Sequence, residues 1–129
     1  MKSFTDIEQS KKLTEILPIE SADMVYIWHS TSDNPAFRFD DDMPPMVLKD
    51  IPIEDITTDT LPCWSLAALL DIMPDRIDDS HFLTLDKEGK EYCCCYEDIN
   101  GNSFKHEFAD NAIDACYKMI IKLHELNLL

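Results

Sequence analysis

The chain has 129 residues, 45% of them hydrophobic, which suits one domain with one core and argues against a wholly disordered chain. Its 26 acidic residues against 11 basic ones leave a net charge of −15. With no basic run longer than Lys11-Lys12, direct nucleic-acid binding and docking to anionic membranes are both disfavoured, because each relies on lysine and arginine.

In chain order, Thr5 and Glu8 have capping-box spacing, and Ile7, Leu13, Ile16 and Leu17 follow at helical intervals, so a first helix is predicted that Pro18 ends. Met24-Val25-Tyr26-Ile27-Trp28 is β-branched and aromatic and predicts a strand. From residue 30 to 60 the pattern breaks at Asn34-Pro35, Asp40-Asp41-Asp42, Pro44-Pro45 and Pro52. A stretch that long without periodicity is expected to be a partner-contacting loop, a lid or a mobile segment, with room for short strands such as one at Met46-Val47-Leu48.

Residues 61–73 predict a second helix, apolar almost all round and therefore central and buried, stopped by Pro74. Three strands are predicted over 81–85, 91–97 and 103–108. The first connection suits a hairpin with Gly89 left-handed, and Asn100-Gly101 is a strong two-residue hairpin signal. A last helix spans about 111–126, capped by Asp110 or Asn111, with Ile113, Cys116, Ile120 and Leu123 along its apolar stripe, widened by Met119 and Leu126. The predicted fold is α+β, one domain over 1–129. A three- or four-stranded antiparallel meander is packed by the C-terminal helix, with an N-terminal helix and a central buried helix.

The cysteines, Cys63, Cys93, Cys94, Cys95 and Cys116, are odd in number, and three are consecutive on one strand, where neighbours face opposite ways. That layout fits reduced thiols rather than a disulfide framework. The segment Met1-Lys2-Ser3-Phe4-Thr5-Asp6 carries no apolar signal region, and no apolar run is long enough to span a bilayer, so the expected compartment is the cytoplasm.

The segments Phe4-Thr5-Asp6-Ile7-Glu8-Gln9-Ser10-Lys11-Lys12-Leu13, Ile19-Glu20-Ser21-Ala22-Asp23-Met24, Pro62-Cys63-Trp64-Ser65-Leu66-Ala67-Ala68-Leu69-Leu70 and Asp114-Ala115-Cys116-Tyr117-Lys118-Met119-Ile120-Ile121-Lys122-Leu123-His124-Glu125-Leu126 resemble a family of uncharacterised small acidic proteins. That family is encoded in prophage-like and conjugative regions of gut anaerobic bacteria. The resemblance implies a mobile genetic element as the setting and brings no activity, cofactor or catalytic residue with it.

The best metal candidate is His81, Cys93, Cys95 and His106. A bulged turn at Gly89 and a two-residue turn at Asn100-Gly101 would set Cys95 between both histidines on one face. The same face would then hold Leu83, Leu85, Phe104 and Phe108, so a hydrophobic core is the preferred reading. Asp98-Ile99-Asn100-Gly101-Asn102 starts like a calcium loop but has Ser103 at the glycine position and Ala109 at the bidentate glutamate position, and is rejected. Cys63, beside Trp64 near a helix start, is a conceivable thiol nucleophile with no base placed near it. Asp40 to Asp42 and Asp78-Asp79 read as solvated loop charge.

Tyr92, Cys94 and Tyr96 alternate on the face opposite Cys93 and Cys95, where tyrosines either anchor a partner or lie under the second helix. The partner-binding candidates are therefore Tyr92, Tyr96, Asp40, Asp41 and Asp42. The leading expectation is a non-enzymatic interaction protein, adapter or regulator, of a mobile element, with a protein partner or self-association and no cofactor. The alternatives are an acidic nucleic-acid mimic that inhibits a DNA-binding enzyme, and a cysteine- or zinc-dependent hydrolase built on Cys63 or on His81, Cys95 and His106.

Overall fold

The computed structural model describes residues 2–27, 45–47 and 60–129. They form an α+β fold with two antiparallel sheets, in two compact units: Phe4–Ser65, and Met1–Ser3 with Leu66–Leu129.

In the first unit, helix α1 (Ile7–Ile16) begins one residue later than the capping-box spacing predicted. The cap is Asp6, whose carboxylate accepts the Gln9 N–H at 2.8 Å while Gln9 Oε1 accepts the Asp6 N–H at 3.1 Å. Thr5 is fully buried instead. Its Oγ1 accepts the Trp64 N–H at 3.1 Å and lies 2.8 Å from Ser10 Oγ, and its carbonyl accepts the Tyr26 hydroxyl at 2.8 Å. One threonine thus joins the helix entry to two separate chain segments.

Strand β1 (Met24–Ile27) is central in a three-stranded sheet between β2 (Met46–Val47) and β3 (Thr60–Cys63). The predicted helix over 61–73 is therefore corrected: its first turn is a strand. Leu61, Pro62 and Cys63 are an apolar run too short for periodicity to classify, and Pro62 is tolerated because β3 is an edge strand. Trp64 and Ser65 make the turn. The Trp64 indole donates to Ser21 Oγ at 3.0 Å, and Asp23 accepts both the N–H and the hydroxyl of Ser65.

In the second unit, α2 (Leu66–Ile72) is shorter than predicted and buries one stripe, Ala68 and Leu69, while Ala67 and Asp71 are exposed. It packs on α3 (Ala112–Glu125), whose cap is Asn111, Oδ1 accepting the Asp114 N–H at 2.8 Å. Ile113, Cys116, Met119, Ile120 and Leu123 are fully buried along the predicted stripe, whereas Leu126 is exposed.

The sheet of this unit runs β4 (Arg76–Ile77), β5 (His81–Glu88), β6 (Glu91–Glu97), β7 (Ser103–Ala109), all antiparallel. Glu88 pairs with Glu91, so the first hairpin turns on two residues, with Gly89 at φ +63° in the position that favours glycine. The second hairpin is not the two-residue turn expected. Residues 98–102 form a loop in which Asp98 accepts the N–H groups of Asn100 and Asn102, both at 2.9 Å, and Gly101 sits at φ +82°. A bulge between β6 and β7 falls at Tyr96 and Glu97 and leaves Phe104 as the extra residue.

Two stability measurements follow. Thr5→Val leaves the buried Trp64 N–H without its acceptor and is expected to cost about 1–3 kcal/mol in urea unfolding, more than the roughly 1 kcal/mol of Asp6→Ala. Gly89→Ala meets no atom within 4 Å, so its expected loss of about 1 kcal/mol reflects the left-handed backbone alone; an unchanged midpoint would show that the turn relaxes.

Candidate interaction face

The β5–β6 register decides which side chains share a face. Thr84 lies opposite Cys95 and Asp86 opposite Cys93, while Phe108 and His106 oppose the same two cysteines from β7. Phe82, Thr84, Asp86, Cys93, Cys95, Glu97, His106 and Phe108 therefore share one face, with Phe104 at its end. Leu83, Leu85, Tyr92, Cys94 and Tyr96 share the other. This moves the β5 side chains to the face opposite the expected one, because a two-residue turn shifts the β5–β6 register by an odd number of residues, while His106 and Phe108 keep the expected company of Cys95 and Cys93.

Helix α3 covers the Cys94–Tyr96 face. The Cys94 thiol donates to the Cys116 thiol, and this bond together with burial raises its pKa far above the ordinary value. Tyr96 is fully enclosed; its hydroxyl donates to the Pro74 carbonyl at 2.7 Å and its pKa is raised, chiefly by burial. Its ring consequently has no surface to offer a partner. Tyr92 is half-buried beside a hollow of about 410 Å³ with Leu66, Leu85 and Ala112, and Lys87 Nζ lies 5.5 Å from its ring. Asp40, Asp41 and Asp42 lie outside the described residues.

On the opposite face the three phenylalanines stand in solvent: Phe82 is 40% exposed, Phe104 44% and Phe108 41%. Cations lie against two of the rings, Arg76 Cζ at 5.3 Å from Phe82 and Lys105 Nζ at 5.4 Å from Phe104, and the His106 ring is 5.4 Å from Phe108. Between them, on the central strand, Cys93 and Cys95 are short and sit low, at 7% and 4% exposure. An exposed aromatic face of this kind carries large, rigid contact area with cationic tips at its rim. The sequence placed Phe104 and Phe108 in the core. Phe108 keeps the expected company of Cys93, and what leaves it outside is that α3 covers the Cys94–Tyr96 face, which no local signal in the sequence announces.

The predicted metal quartet is not assembled. His81 lies three residues from Thr84, out of step with Cys95, and its Nδ1 is bonded to Asp78 Oδ1 at 2.9 Å and Ser80 Oγ at 3.1 Å. His106 does lie opposite Cys95, as expected. Asp86, Cys95 and Glu97 place donor atoms within 4.8 Å of one another. Cys95 is already engaged with Thr84 Oγ1 at 2.9 Å, and this donor set forms the polar floor and rim of the face.

Cys63, in the other unit, is buried and free, and burial raises its pKa, the wrong direction for a nucleophile. Cys93 is pushed up to about 12, first by burial and then by the charges of Cys95, Glu88 and Asp86. Both thiols hold their proton more tightly folded than unfolded. Stability from them is complete below the ordinary thiol value of 9.0 and is lost as pH rises toward 12, because unfolded thiols ionise first. Unfolding midpoints should fall above pH 9, and Cys93→Ala should make that fall shallower; an identical slope in the variant would refute the assignment.

No protein-family model, curated protein or solved structure matches this chain.

Proposed function

We propose that this chain is a non-enzymatic protein-interaction protein, an adapter or regulator, that docks its partner on the outer face of the four-stranded sheet. The observation that carries the reading is the exposure of three phenylalanines, Phe82, Phe104 and Phe108, on the strands flanking Cys93 and Cys95 in an otherwise strongly acidic chain. Exposed aromatic side chains on a rigid sheet bring contact area with little side-chain entropy to lose, and such anchors carry most of the energy of protein interfaces. The cations against Phe82 and Phe104 suit a partner surface that is apolar at its centre and acidic or polar at its edge. The mobile-element setting rests on the sequence resemblance alone.

Hydrolysis by Cys63 has no support from its environment, since burial keeps the thiol protonated and Thr5 surrounds it with neutral groups. Nucleic-acid mimicry rests on the net charge of −15 and makes a contrary forecast about salt.

The test is purification of the tagged chain from cells of its source, at low and high salt, beside a Phe82→Ser/Phe108→Ser variant. A partner held through the aromatic face stays bound at high salt and weakens by about thirtyfold or more in the variant, the effect of losing about 2 kcal/mol. Equal capture by the variant overturns the docking face, and capture abolished by salt favours mimicry. Both proteins should share one circular dichroism spectrum.

A further inference from the structure

Strand β7 is an edge of its sheet: the strand order ends on it, and among the described residues no strand pairs with its outer side. An open strand edge carries unpaired backbone groups that template another strand. Which groups point outward follows from the ladder. Glu88 and Glu91 flank a two-residue turn and so bond each other, and Leu83 N–H turns away from β6 to donate to Asp75 O at 3.0 Å. Alternation then directs Cys94 and Tyr96 toward β7, Lys105 and Glu107 toward β6, and the backbone of His106 and Phe108 outward. The Phe108 carbonyl is indeed met at that edge by Lys118 Nζ, at 2.9 Å. One lone pair of that oxygen stays available.

We propose that β7 is the seam of a homodimer, in which a second copy of this chain pairs antiparallel with it about a two-fold axis through His106, making one continuous sheet. Charge selects both the occupant and the register. Each copy carries −15, yet β7 holds one lysine and one glutamate and is formally neutral, so it is a place where two such copies meet without repulsion. Centred on His106, the pairing sets Lys105 opposite Glu107 of the second copy, and Glu107 opposite its Lys105. Centred on Lys105 or on Glu107, it would set like charges face to face, which is destabilising.

The same axis brings Phe104 beside Phe108 of the second copy at either end, so the two aromatic faces become neighbours on one surface. Beside β7 on the α3 side runs a shallow groove of about 270 Å³ lined by Tyr117, Ile121 and Glu107, against which the second copy's α3 comes to lie. The bulge at Phe104 limits the straight part of the edge, so the seam is short and the dimer weak and concentration-dependent.

The test is sedimentation velocity of the whole chain from micromolar to millimolar concentration. Wild type is expected to shift from monomer to dimer. K105E and E107K each place like charges across the seam twice and are expected to weaken it by about tenfold or more. The double exchange K105E/E107K restores it, and the two single variants mixed together form a heterodimer. Wild type monomeric throughout, or single variants that dimerise as well as wild type, overturns the seam. Should a single variant fold poorly, hydrogen exchange on wild type decides: the outward amides of His106 and Phe108 gain protection with concentration, or the proposal falls. Partner capture is read separately: wild type that stays monomeric at every concentration yet still captures a partner defeats this inference alone.

Discussion

The turn at Gly89 is the constraint on which the second unit depends. Because only two residues join β5 to β6, Thr84 meets Cys95 and Leu85 meets Cys94, so that Leu83 and Leu85 share the face of Cys94 and Tyr96. The side-chain period of a strand is two, so a β5–β6 register displaced by one residue would turn Leu83 and Leu85 to the face of Cys93 and Cys95. The glycine is needed for the left-handed backbone that makes so short a turn possible, not for space, since nothing crowds its α-carbon.

That register gives the two faces different chemistry. Beneath α3 lie Cys94, Tyr96 and Cys116, each polar atom provided with a partner, as a close-packed interior requires. On the other side the central strand contributes only short thiols, and the taller phenylalanines of the flanking strands stand above them. On this face Thr84 Oγ1 is paired with Cys95 Sγ, while the phenylalanine rings remain exposed. The raised thiol pKa values and the absence of a base beside Cys63 among the described residues come from the same cause. These cysteines serve as small hydrophobes.

The Phe4–Ser65 unit has its own node in Thr5. A short polar side chain is buried there because three partners converge on it, and its backbone makes an antiparallel bridge between Phe4 and Ser65. Strand β3, which leads into that bridge, places Trp64 at a position where its indole N–H finds Ser21, so a tryptophan is buried without an unpaired donor.

The sequence by itself determined whatever is encoded within a few residues. Proline 18 ends α1, Gly89 and Gly101 lie in turns, Asn111 caps the last helix, and the stripe from Ile113 to Leu123 is its buried side. It could not place the helix cap between Thr5 and Asp6, because both can accept an N–H and only the approach of Trp64 claims the threonine. Nor could it separate strand from helix in Leu61-Pro62-Cys63, an apolar run whose state depends on β1, a distant segment, being there to pair with it. The candidate site was the least legible part. Phe104 and Phe108 are hydrophobic and read as core, and the sequence does not single out Phe82; only pairing across three strands, and one helix covering the opposite face, left them outside. Local propensity acts over neighbours in the chain, whereas which face of a sheet is buried is decided by register and by what packs on it, and both are properties of the assembled structure.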